Sequence, residues 1–337
     1  MDGWGDRPLE RAIFGTAESA EIAGMIDTFC REELGAAVQQ CHVYESSQGA
    51  VAGLLLEDGP DVVIKAHPPG AEWTRERLAA VTRVQRSLTA AGIPAPPVVA
   101  GPAPLGNGWA TVEAFVAEGH DRDGHDPTVR AIMARLLADI ARLGRDLDVA
   151  GIRVGTRAHL ERGELWPVPH SAIFDFAATR SGAEWIDALA ERAAPFLLRP
   201  PGSRVLGHMD WSIKHFRFSV DRVTVIYDWD SLIVEDEPVI VGQTVPTYPA
   251  RWDRPVILTP SLADARAFVA EYEAARGRLF TEAERATLGA SALYALAYGA
   301  RCEHAYAPAP PPYPRGSLRA ALRDHGIAWM ESLRDVP

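Results

Sequence analysis

The residues best suited to chemistry lie close together. They are Gly207-His208-Met209-Asp210-Trp211-Ser212-Ile213-Lys214-His215-Phe216, followed by Val225-Ile226-Tyr227-Asp228-Trp229-Asp230. A His-x-Asp turn ahead of a short hairpin, with a second aspartate at its far end, brings two carboxylates together from one compact unit. The eighteen positions from Asp210 to Asp228 match about two short strands and their turns. Phosphoryl transfer asks little covalent chemistry of a protein. It needs a carboxylate near the attacking hydroxyl, carboxylate or amide oxygens on a divalent ion, and a cation on the phosphates. Lysine usage points to the cation. Of 34 basic residues only Lys65 and Lys214 are lysine. A chain that writes arginine almost everywhere keeps lysine where a compact ammonium cannot be exchanged for a planar guanidinium. Genomic base bias explains the scarcity of lysine but not where the two remaining ones stand.

The elements that must position these groups fall into two textures. Ile22, Met25, Ile26 and Phe29 recur at helical spacing within 17–34. Three strands are expected near 40–45, 51–56 and 61–67, the last two joined by the turn signal Asp58-Gly59-Pro60. A helix over 74–91 shows Leu78, Val81, Val84, Gln85 and Leu88 on one face and stops at Gly92 and Pro94, and another strand spans 109–116. Beyond Glu118-Gly119-His120 the pattern turns mostly helical, over 128–147, 183–198 and 262–304. The exception is a hairpin of Phe216–Phe218 against Val223–Tyr227, and Ala307–Pro314 is a proline-rich loop. The expected fold is α+β. A small antiparallel-sheet lobe spans 1–116, and a larger, mostly helical lobe spans 117–337.

At these motifs the sequence resembles the aminoglycoside phosphotransferase and choline kinase branch of the protein-kinase-like fold. That branch has a His-Gly-Asp catalytic loop and an Ile-Asp-Trp-like metal segment. The resemblance implies a two-lobed enzyme that uses ATP or GTP with Mg²⁺ or Mn²⁺ to phosphorylate a hydroxyl of an amino sugar, aminoglycoside or amino alcohol. It makes Asp210 the catalytic base or hydroxyl-orienting carboxylate, and His208 a brace for the loop. Asp228 becomes the main metal ligand, with Asp230 serving metal or substrate, and Lys214 a γ-phosphate contact. Lys65 ends Asp61-Val62-Val63-Ile64-Lys65, which looks like the strand whose lysine holds the α- and β-phosphates. Glu76 is its expected carboxylate partner, ahead of Glu72, although the branch usually places this glutamate further along the helix. Ser46 and Ser47 are expected on the phosphates. Glu113, Phe115 and Val116 are expected to line the nucleotide pocket through main chain. Two positions depart from the pattern. Met209 replaces the glycine, and His215 stands five residues after Asp210, where the branch has a metal-binding asparagine. A neutral imidazole binds hard Mg²⁺ weakly. One metal suffices, a softer ion is used, or the site has degraded.

Composition narrows the alternatives. A formal charge of −11 argues against a nucleic-acid binder steered by bulk electrostatics, and is compatible with a cationic or neutral small substrate. No uncharged apolar run approaches the length of a membrane span. Cys30, Cys41 and Cys302 are odd in number and widely spaced, and so point to a reducing cytoplasm rather than a disulfide framework. Glu235-Asp236-Glu237 reads as a solvated acidic loop or, less often, a wall facing a cationic acceptor. His120, Asp121, Asp123, His125 and Asp126 match no standard metal spacing. Trp211 and Trp229 read as core. Two other functions remain open: a nucleotide-binding pseudokinase, and a metal hydrolase built on His208, Asp210, His215 and Asp228.

Overall fold

The computed structural model describes residues 7–171, 173–198 and 200–334. Two compact units make up the chain, the first running to Glu118 and including Asp148–Ile152, the second comprising Gly119–Leu147 and the remainder from Arg153.

The first unit carries helices α1 (Pro8–Phe14) and α2 (Ser19–Leu34), strands β1 (Val38–Ser46), β2 (Ala50–Leu56) and β3 (Val62–His67), helix α3 (Arg75–Ala90), and strands β4 (Val98–Leu105) and β5 (Gly108–Ala114). The strands form one antiparallel sheet in the order β1-β2-β3-β5-β4. Its core joins Leu54, Val62, Ile64 and Val112 to Ile22, Ile26 and Phe29 of α2. Thr74 starts α3 by accepting the Arg77 amide at 3.2 Å, and Leu78, Val81, Val84, Gln85 and Leu88 are buried along one face. Strand β4 escapes a reading by pattern because Pro102 and Pro104 interrupt it. It sits at the sheet edge, where proline is tolerated.

The second unit begins with α4 (Pro127–Leu143), capped by the Asp126 carboxylate, which accepts the Thr128 amide at 2.8 Å. There follow β6 (Arg153–Val154), α5 (Ala158–Glu161), α6 (Glu184–Leu198), β7 (Arg204–His208), β8 (Phe216–Ser219), β9 (Arg222–Ile226) and β10 (Leu232–Asp236). Helices α7 (Glu237–Thr244), α8 (Leu262–Arg276), α9 (Glu282–Tyr306), α10 (Leu318–His325) and α11 (Ala328–Arg334) complete it. Strands β6, β10 and β7 form a small sheet with β10 central, and β8 and β9 form the expected hairpin. Helix α9 starts with a capping box of Thr281 and Glu284 and packs against α6, α7, α10 and α11.

The acidic run is neither solvated nor directed at a ligand. Glu235, Asp236 and Glu237 are almost wholly buried. Arg157 pairs with Glu235 at 2.9 Å and with Asp236 at 2.7 Å. The Tyr272 hydroxyl donates to Glu237 at 2.9 Å, and Arg276 lies 3.4 Å from it. Sequence spacing offers no sign of this, because the partners lie far away in the chain.

Helix α7 leads directly out of β10 and rests on α9 through Gly242, where an added Cβ would lie 2.5 Å from the Ser291 Cβ and also meet the Leu288 carbonyl. Gly242→Ala is therefore expected to lower stability by about 1–3 kcal/mol in chemical denaturation, as overpacking a tight contact does.

Candidate active site

Strand β7 delivers His208 to the end of the small sheet, where it stands opposite Leu232 of β10, and the Met209 amide continues the pairing by donating to the Ser231 carbonyl at 3.0 Å. The chain then turns and is held at several points. The Trp211 indole donates to the Met133 carbonyl at 3.1 Å, the Ser212 hydroxyl to the Ala250 carbonyl at 2.7 Å, and the Ile213 amide to the Tyr248 carbonyl at 2.8 Å. A single 3₁₀ turn over Ile213–His215 carries the chain into β8. At the other end of the hairpin the Tyr227 amide donates to the His215 carbonyl at 3.0 Å. Asp228 itself is left-handed, with φ 71° and ψ 41°, a region that aspartate tolerates better than most side chains.

These constraints bring Asp210, His215 and Asp228 together, with one ligand atom from each lying within 4.8 Å of the others. His215 Nε2 is 3.1 Å from Asp210 Oδ2 and 3.7 Å from Asp228 Oδ2. The Ser231 hydroxyl donates to Asp228 at 2.6 Å. Oxygen donors stand about 2.0–2.6 Å from Mg²⁺ or Ca²⁺, so this spacing fits one shared divalent ion. The imidazole in the set moves its preference toward Mn²⁺. Asp230 is outside the cluster.

Lys214 Nζ reaches Asp210 at 2.6 Å and lies 4.8 Å from the Trp252 ring centre. Burial works to raise the Asp210 carboxyl, but His215 and Lys214 outweigh it and hold the group well below the usual carboxylate range. The ionised form of Asp210 is therefore favoured and is a weak proton acceptor, suited to orienting a hydroxyl. His208 is buried edge-on against Trp211 and Trp229, themselves core residues as expected. Neither of its ring nitrogens hydrogen-bonds a described residue. Burial pushes it down to about 4, so it packs as a neutral ring. His170, which no motif in the sequence singles out, is also lowered by burial. Asp210 pulls it back up while Lys214 adds to the lowering, and Nδ1 lies 2.9 Å from the Tyr298 hydroxyl.

A second constellation lies in the first unit. Lys65 is buried on β3, and its Nζ is 3.5 Å from Glu113 Oε2 on β5. The register sets Val63 opposite Glu113 and Lys65 opposite Thr111, so both side chains share one sheet face. Gln85 of α3 donates to Glu113 Oε1 at 2.8 Å and to the Pro96 carbonyl at 2.9 Å. This corrects the expected partner. Glu76 is exposed in the first turn of α3, and the side chain that reaches the pair from further along the helix is the neutral amide of Gln85. The carboxylate comes from the neighbouring strand instead. Glu113 thus acts through its side chain, since its backbone lies in the ladder between β3 and β4. The Phe115 amide is likewise committed to the Asp61 carbonyl at 2.9 Å. Val116 follows beyond β5. Ser46 donates to the buried Glu10 at 2.9 Å, while the Ser47 amide donates to the Gly49 carbonyl at 3.0 Å.

Two outcomes test these environments. Glu113→Ala should cost about 3 kcal/mol of stability by stripping a buried lysine of this carboxylate, and Gln85→Leu about 1–2 kcal/mol, both read by denaturant titration. His208 has a folded value below its unfolded one, so between about pH 4 and 6.5 only the unfolded chain takes up its proton. Stability should then rise with pH across that window, and His208→Leu should remove up to about 1.4 kcal/mol per pH unit of the slope.

No family model matches the chain, and no curated protein does. Solved structures match over nearly its whole length. An aminoglycoside phosphotransferase from Alicyclobacillus acidocaldarius is 14% identical with a TM-score of 0.53, over 88% of this chain and 92% of that one. An ethanolamine kinase from Plasmodium vivax is 12% identical with a TM-score of 0.54, over 96% and 94%. An amicoumacin kinase solved with AMP-PNP, Ca²⁺ and Ami is 10% identical with a TM-score of 0.56, over 88% of each chain. At such identities the likeness speaks for the fold. The chain has the protein-kinase-like α+β fold shared by aminoglycoside phosphotransferases and choline/ethanolamine kinases.

Proposed function

We propose that the protein is an ATP- or GTP-dependent phosphotransferase that moves the γ-phosphate to a hydroxyl of a small molecule. The observation that carries this reading is the convergence of Asp210, His215 and Asp228 on one point, on a fold used by small-molecule kinases. Asp228, His215 and a carboxylate oxygen of Asp210 would hold the divalent ion, which when bound draws charge off the phosphate oxygens. Asp210 accepts a hydrogen bond from the acceptor hydroxyl and aims it. Being a weak base, it takes the proton late, as bond formation makes that proton acidic. Lys214, 2.6 Å from Asp210, balances the charge of that carboxylate until the proton arrives and is then left free to face the γ-phosphate. Lys65 supplies the cation for the nucleotide phosphates, and Glu113 with Gln85 fixes its ammonium in place.

Purified protein with Mn²⁺ or Mg²⁺, nucleotide and a library of hydroxylated metabolites should release ADP or GDP for at least one acceptor. Asp210→Asn should lower that rate by about 10²–10⁴-fold. Full activity in the variant would mean that Asp210 does not orient the hydroxyl, and nucleotide binding without transfer to any acceptor would make the protein a pseudokinase. His215 should give Mn²⁺ the advantage over Mg²⁺, and His215→Asn should reverse the ratio by replacing a nitrogen with an amide oxygen.

A further inference from the structure

The charge around the catalytic loop bears on what the acceptor is. The acidic run beyond the metal segment is consumed by internal arginines, so it offers nothing to a cationic substrate. On the other flank of the loop, Lys214 bridges Asp210 to Trp252, a tryptophan left 51% exposed. Trp252 in turn lines an open cleft of about 190 Å³ with Arg251, Arg254, Leu258, Arg315 and Ser317. The cleft is built by ion pairs, not by chance exposure. Asp121 is gripped by Arg217 at 3.1 Å, by Arg251 at 2.8 Å and by Arg254, and Asp253 pairs with Arg251 at 2.8 Å and Arg254 at 3.8 Å. Three guanidinium groups therefore face two carboxylates. Arg315 adds a further positive charge and has no ion-pair partner among the described residues. In a chain of net charge −11, this local excess of cations beside an exposed indole runs against the overall field.

We infer that the acceptor carries an anionic group, carboxylate or phosphate, that docks in this arginine-lined cleft while Trp252 supports the body of the molecule and its hydroxyl is presented toward Asp210. The inference rests on the phosphotransferase reading for the last clause only; the anion subsite stands or falls by binding. Guanidinium groups already held in place by Asp121 and Asp253 lose little freedom on binding, and their planar forks suit carboxylate and phosphate alike. An exposed indole face complements a sugar or aromatic ring.

The test is a matched panel on the intact protein. Gluconate, glucose 6-phosphate and hydroxybenzoate are compared with glucose, hydroxybenzyl alcohol, glucosamine and hydroxybenzylamine, reading binding by ligand-detected NMR and turnover by ADP release. The anionic members should bind about tenfold or more tighter than their neutral and cationic counterparts, an advantage that added salt reduces. Comparing gluconate and hydroxybenzoate with glucose 6-phosphate tells carboxylate from phosphate. Arg315→Gln, a change on an exposed loop, should weaken the anionic members about fivefold and leave the neutral ones where they were, and Trp252→Ala should weaken ring compounds of every charge. Equal or tighter binding of the amines, no binding of any anionic member, or indifference to Arg315→Gln overturns the inference. Turnover without preference for anions rejects the subsite and keeps the phosphotransferase. Anion binding that Arg315→Gln weakens, with no ADP formed from any acceptor, supports the subsite and counts against the phosphotransferase.

Discussion

Two carboxylates with oxygens within 4.8 Å of one another are the constraint on which the second unit depends. At an effective dielectric of about 20, two unit negative charges no further apart than that repel by about 3.5 kcal/mol or more. The fold holds them there in three ways. It pins the Asp210 turn through Trp211, Ser212 and Ile213, it sets Asp228 in a left-handed conformation, and it surrounds both with donors. His215 stands between the two carboxylates, Lys214 leans on one and Ser231 on the other. Such a site is ready to accept a divalent cation, and His215 is the side chain that joins the two acids.

The first unit solves its own charge problem within its sheet. A lysine buried on a sheet needs an anion, and here the anion is supplied by the adjacent strand, with a neutral amide on the helix holding it in place. The ammonium and the carboxylate stand on two paired strands and the amide on the helix. The carboxylate lies on a strand whose register is set by pairing on both sides. A helix shift would therefore move Gln85 before it moved the Lys65–Glu113 pair.

What the sequence revealed follows from the range of the forces involved. The strands β1 to β3, the helix α3 and the hairpin β8–β9 are governed by local pattern and turn chemistry, and were legible. So was the cluster of Asp210, His215 and Asp228, because all three flank one short hairpin. Strand β4 was hidden by its prolines, and β7 and β10 by the motif residues and acids at their ends. Glu113 had a visible signal, a charged residue inside the apolar run Ala110–Val116, but its partner could be named only with the strand register in hand. The burial of Glu235 and Glu237 depends on Arg157 and Arg276, which no spacing rule connects to them. The same is true of the arginines that gather on Asp121.

Catalysis as proposed turns on His215 and Asp228 sharing an ion. The most direct measurement is pulsed electron paramagnetic resonance of Mn²⁺ added to the protein, with and without nucleotide. A shared ion predicts a bound Mn²⁺ with a directly coordinated imidazole nitrogen, a signal lost in His215→Asn, and ion binding that collapses in Asp228→Asn. Mn²⁺ held without any nitrogen coupling, or held equally well after Asp228 is replaced, would contradict it.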